Sequence, residues 1–272
     1  MLSRQSSLTP FESQKRMFTS VSGLRECVEK WQKGETETLM IDETNPATGT
    51  MTSGNNLGKP LFQFLPVHKT TSEGGTMIHQ TDNCLSFIPA GFRNAETVNK
   101  MNPVREEIGG LSTLQSLVHI LTIPKNKRIY NAVSLTKEDI PLLEEMKVCG
   151  EKAVNILTTG DENMIGSLKW QLNQTGNITM NDGTIISQEL NLTTDLSSEC
   201  ESSMNSFMEK DEPYIEHTFH AYPSASIGWL HLHSFLGDLK TSAYDTMEYE
   251  AIQKGNTKNI DYSSILQAVK TM

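Results

Sequence analysis

The chain has no surplus of basic residues: 23 Lys and Arg stand against 33 Asp and Glu in 272 residues, a net charge of −10 with histidine neutral. Nonspecific nucleic-acid binding neutralises phosphates with Lys and Arg, so that function class is excluded. Aromatic residues are scarce at 7%, and hydrophobic residues amount to 36%. One core of moderate size can be built from them, which leaves part of the chain outside it. Long apolar runs are also missing. The longest nearly uncharged one, Leu111 to Pro124, contains Ser, Thr, Gln and His and falls short of the ~20 residues that cross a bilayer. No membrane-spanning helix and no membrane partner are expected.

Cysteines are few and far apart. Cys27, Cys84, Cys149 and Cys200 have no two-residue spacing, which argues against a zinc knuckle or a redox pair and reads as buried thiols in a reducing compartment. The N-terminal stretch MLSRQSSLTPFESQKRMF lacks the apolar block of a secretory signal, so a cytoplasmic location is expected, an organellar presequence being the alternative. Asn173, Asn177 and Asn191 head Asn-X-Thr triplets, read as chance matches in an Asn- and Thr-rich stretch.

No internal repeat is present. Residues 1–60 are dominated by Ser, Thr, Gly, Asn and charge and read as a polar, partly disordered extension with one helix from Gly23 to Lys33, where Leu24, Cys27, Val28 and Trp31 recur at helical spacing. The domain proper is expected over 61–272. Within it, strands are read at Leu61 to Val67, Cys84 to Ile88, Val118 to Ile123, Tyr214 to Tyr222 and Gly228 to Phe235. Thr136 with Asp139 makes a capping pair for a helix whose Leu142, Leu143, Met146, Cys149, Ala153, Val154 and Leu157 share a face, and a shorter helix is read from Tyr262 to Lys270. Polar segments near 92–110 and 160–210 read as insertions, the second with a hairpin around Asn181, Asp182 and Gly183. The fold class is α+β, an antiparallel sheet of about five strands flanked by helices.

What the sequence does have is histidine in one place. Of seven in the chain, His217, His220, His231 and His233 fall within seventeen residues. Side chains alternate along a strand, so His231 and His233 share a face about 7 Å apart, a separation suited to two contacts on one phosphate or two bonds to one metal. His217 and His220 have odd spacing, so at most one of them faces that site. A zinc reading with His217 or His220 beside His231 and His233 finds no Cys or acidic partner at ligand spacing, and no metal and no cofactor are expected. His68 and His79 are read as exposed loop residues. Lys125, Lys127 and Arg128 are read as a solvated turn, and Tyr244, Met247 and Tyr249 as packing residues.

The stretch FHAYPSASIGWLHLHSFLGDL (219–239) resembles the signature strand of the histidine triad family, nearest to its aprataxin-like and scavenger-decapping-like members. DNCLSF (82–87) resembles the first sheet strand of that family. VHILTIPK (118–125) and SLTKEDIPLLEEM (134–146) resemble its His-led strand, Pro-Lys turn and long helix. The resemblance implies a nucleotide hydrolase or transferase that cleaves a phosphoanhydride, phosphoester or phosphoramidate through a covalent nucleotidyl-histidine. It implies His231 as nucleophile, His233 as donor to a phosphate oxygen, His119 as the residue that orients the network, and Ser226 as a hydroxyl near the leaving group. Asp82, Phe87 and Trp229 are further substrate-binding candidates. Trp229 stands where the family has its first triad histidine, and its ring nitrogen can only donate. An alternative register makes His231 the first histidine, His233 the nucleophile and Phe235 the third residue. The expected partner is a nucleotide or nucleotide conjugate, with a homodimer implied, and the runner-up function is a weakly active nucleotide-binding module.

Overall fold

The computed structural model describes residues 8–21, 23–35, 76–88, 116, 118–126, 128–158, 176–179, 185–188, 214–222, 229–237, 240, 244, 248–249, 252–253 and 257–272. The expected strand 61–67, the segment 92–110, Cys200, His68 and Ser226 lie outside them.

Helix α1 spans Pro10–Ser20 and begins where local chemistry favours it. Thr9 and Glu12 form a reciprocal capping box, with Thr9 N to Glu12 Oε2 at 2.8 Å and Glu12 N to Thr9 Oγ1 at 3.2 Å, and Pro10 occupies the first helical position, where its missing N–H costs nothing. Gly23, at φ +78°, turns the chain into α2, Leu24–Gln32. Phe11, Phe18, Leu24, Val28 and Trp31 are buried in the same core as Tyr130, Tyr222 and Ile265. The expectation that residues 1–60 form an extension outside the domain is corrected for these two helices. Their few apolar residues sit at helical spacing and close over the sheet end, where Gln14 Nε2 donates to Thr257 O at 2.9 Å and Lys15 Nζ to Leu135 O at 2.7 Å.

The principal sheet holds six antiparallel strands in the order β1 (Thr76–Gln80), β2 (Cys84–Ile88), β3 (His119–Pro124), β7 (Leu232–Leu236), β6 (Ile215–His220) and β8 (Asn259–Asp261). It thus has one strand more than expected. Both outer strands escaped the sequence reading: β8 has only three residues, and β1 is an edge strand with a register irregularity between Met77 and His79. Consequently His79 is half-buried within a strand and is not a loop residue. Strands β4 (Gly176–Thr179) and β5 (Ile185–Gln188) pair separately as the hairpin expected around 181–183.

Helix α3, Ile140–Thr158, lies on one face of the sheet and α4, Tyr262–Thr271, packs beside it. The Thr136 and Asp139 capping box is present, although it closes a short 3-10 turn that leads into α3. Leu143, Met146, Cys149, Ala153, Val154 and Leu157 are buried, as the helical period requires. Beneath α3 the sheet presents small polar residues. Ser86 and Thr122 share a hydrogen bond at 2.7 Å, Ser86 Oγ donates to Cys149 Sγ at 3.2 Å, and Ser234 Oγ pairs with His217 Nδ1 at 3.0 Å. Gly150 lets the helix come this close: a Cβ there would stand 2.3 Å from Ser234 Oγ. Cys84 and Cys149 are buried free thiols, and Cys27 is half-buried.

Candidate functional site

Because Ser86, Thr122, Ser234 and His217 face α3, alternation sends Phe87, Leu121, His119, His233, Phe235, Thr218 and His220 to the opposite face. Strand pairing then assembles the site. Leu121 and Thr218 flank His233 on either side, and Phe235 is opposite His119, which sets His119 diagonal to His233. Past the last strand pair, Phe219 with Leu232, the rings of His220 and His231 meet, the edge of one toward the other. Four imidazoles gather there. Ring centroids are 4.0 Å apart for His220 and His233, 5.0 Å for His231 and His233, 5.1 Å for His119 and His233, and 5.7 Å for His220 and His231.

Hydrogen bonds fix how each ring is used. His231 Nδ1 lies 2.8 Å from Trp229 O, and a carbonyl only accepts, so Nδ1 carries the proton and the lone pair is on Nε2. His119 Nε2 and His233 Nδ1 are 2.9 Å apart, one donating and one accepting. His233 Nε2 is buried with no hydrogen-bond partner. His220 Nε2 lies 3.0 Å from Asn259 Oδ1, which also accepts from Thr218 Oγ1 at 3.3 Å. Asn131 Nδ2 holds the His220 carbonyl at 2.9 Å. The cluster is 4% exposed at His231 and His233 and 1% at His119.

Burial disfavours the charged ring, so it lowers the pKa of His231 to about 4 and those of His220 and His233 well below the usual histidine range. The Lys258 ammonium adds to the depression at all three. These imidazoles are therefore neutral at physiological pH and available as lone-pair donors.

Of the candidate residues, His119, His231 and His233 are brought together. Phe87 is buried on the same face, separated from His233 by Leu121. Trp229 is buried as well, its Nε1 donating to Asn126 O at 3.2 Å while its carbonyl orients His231. Asp82 is not in the cluster: it is exposed in the β1–β2 turn, beyond the pairing of Cys84 with Pro124. Lys125 is no solvated residue either, since it is buried and its Nζ donates to Thr81 O at 2.7 Å. The sequence reading missed Asn259, Thr218 and Lys258 and left His220 undecided. Strand parity separates His217 from His220, but only the pairing of β6 with β7 and β8 shows which of the two joins the cluster.

On the other face, Ser234, His217 and Glu151 form a line that looks like a nucleophile, base and acid. Glu151 Oε1 is 3.5 Å from His217 Nε2, and burial holds the His217 pKa at about 4. Ser234 is completely enclosed under Gly150, so this line is structural. A cavity of about 850 Å³ lies elsewhere, between α1, α2 and residues 133–139, and none of the four clustered histidines lines it. The chain matches no protein-family model, no curated protein and no solved structure.

Proposed function

We propose that the protein is a nucleotidyl hydrolase or transferase of the histidine-triad type, with His231 as nucleophile. The observation that carries this reading is the bond from His231 Nδ1–H to Trp229 O, which leaves Nε2 as the lone pair of a neutral ring. Burial supports the same role, because a ring with a pKa of about 4 is unprotonated at neutral pH. This favours His231 over His233, whose proton has no carbonyl to fix it.

In this scheme Nε2 of His231 attacks the α-phosphorus of a nucleoside phosphoanhydride, phosphoester or phosphoramidate. A phosphorus–nitrogen bond forms, the bond to the leaving group breaks, and the departing group takes up a proton. Water then attacks the phosphoramidate, releasing nucleoside monophosphate and restoring His231. When His119 Nε2–H donates to His233 Nδ1, the proton of His233 is on Nε2, its buried unpartnered atom, which can then donate to a non-bridging phosphate oxygen. Lys258 supplies positive charge against the dianionic transition state. Trp229 contributes its backbone carbonyl, the group that sets the tautomer of the nucleophile.

The test is trapping. Chelator-treated protein is incubated with an adenosine phosphoramidate or a dinucleoside polyphosphate, quenched, and the peptide holding His231 and His233 is weighed. A nucleotide mass on that peptide, lost in His231→Ala together with monophosphate release, is the expected result. An unmodified peptide with no hydrolysis overturns the reaction. The burial of the whole cluster and the Trp229 substitution favour a second reading, a nucleotide-binding module, recognised by a ligand-dependent rise in melting temperature without turnover.

A further inference from the structure

In each of His220, His231 and His233 one ring nitrogen is held by a hydrogen bond, to Asn259 Oδ1, Trp229 O and the His119 ring respectively. One ring nitrogen from each of His220, His231 and His233 lies within 4.8 Å of the other two. His231 spends its N–H on Trp229 O and His220 spends its Nε2–H on Asn259 Oδ1, so each keeps a lone pair on the remaining nitrogen. His233 Nε2 is buried and unpartnered. When His233 Nδ1 donates to His119, that Nε2 also becomes a lone pair. Rings whose second N–H is anchored on a carbonyl, an amide oxygen or another ring have the arrangement that orients histidine ligands around a metal.

We propose that His220, His231 and His233 bind a divalent transition ion of the zinc class. Three neutral imidazoles suit Zn²⁺, whose fourth position is left for water or another ligand. Tetrahedral bonds of about 2.0–2.1 Å set nitrogen donors ~3.4 Å apart. Each donor therefore needs to move inward by no more than about 0.8 Å. The ion and a nucleotide compete for the site, a consequence that rests on the nucleotidyl-transfer reading, because both need Nε2 of His231. The direction of the His119–His233 hydrogen bond distinguishes the two states: the metal takes a lone pair on His233 Nε2, whereas a phosphate oxygen takes a proton from it.

The test uses the full chain, stripped with chelator and titrated with Zn²⁺ against a chromophoric competitor. One equivalent is expected, with X-ray absorption reporting three imidazole nitrogens at about 2.0–2.1 Å and Co²⁺ giving the visible spectrum of a tetrahedral site. His220→Gln and His233→Gln should each weaken binding by roughly 100-fold or more, and Asn259→Ala, which removes only the anchor of His220, by roughly 10- to 100-fold with the stoichiometry unchanged. Uptake well below one equivalent by folded protein, or Zn²⁺ binding indifferent to all three changes, overturns the site. Zn²⁺ bound as expected with no nucleotide adduct in stripped protein overturns the reaction alone. An adduct without Zn²⁺ binding overturns the metal site alone.

Discussion

The buried histidines make stability strongly pH-dependent, and the direction is fixed by burial. His217 and His231 have folded pKa values of about 4 against an unperturbed 6.5, burial being the first cause at both. A depressed histidine pKa means that between these values the unfolded chain binds more protons than the folded one, so stability rises with pH through that window and is lost as pH falls. At about pH 5 each ring is almost fully protonated when unfolded and largely neutral when folded. Relative to about pH 7 each then removes roughly 2 kcal/mol of stability, given 1.36 kcal/mol per pKa unit. His220 and His233, also depressed by burial, act in the same direction. Glu145 contributes only at lower pH: hydrogen bonds from Thr81 and Asn83 outweigh the upward pull of its burial and lower its pKa from 4.5. Urea unfolding in chelator at constant ionic strength, followed by tryptophan fluorescence, should give an extrapolated stability at least about 3 to 4 kcal/mol lower near pH 5 than near pH 7. His217→Gln should remove roughly 2 kcal/mol of that difference. A change below about 1 kcal/mol over the same range would refute the neutral, desolvated state assigned to these rings.

Two packing predictions concern the scaffold. In Gly150→Ala the new methyl meets Ser234 Oγ at 2.3 Å and Thr122 Oγ1 at 3.1 Å, so despite the better helix propensity of alanine the variant should lose about 1–3 kcal/mol in denaturant unfolding; equal stability would mean that α3 does not approach the sheet this closely. Phe11→Ala empties a fully enclosed position and should cost about 3–5 kcal/mol, whereas an effect near zero would return α1 to the status of an appendage.

Much of the local structure was legible in the sequence. The capping pair at Thr136 and Asp139 announced α3, and a stripe of apolar residues gave its buried face, because caps and periodicity act within a few residues. The Thr9 and Glu12 box was equally local, yet the polar composition around it hid the α1 face that carries Phe11 and Phe18. Alternation alone placed His231 and His233 together on one side. Which other residues meet them depended on pairing between distant segments. Strand β6 lies between β7 and β8, so His220 faces His231 and Asn259 reaches His220, although 39 residues separate the last two. That same order removes Asp82 from the site, and the β1–β2 turn over β3 buries Lys125. Which side chains could share a face was settled locally, since strand and helix periods are properties of the backbone. Which faces meet was set by the assembled fold, because strand order and register follow from burying the whole apolar set at once.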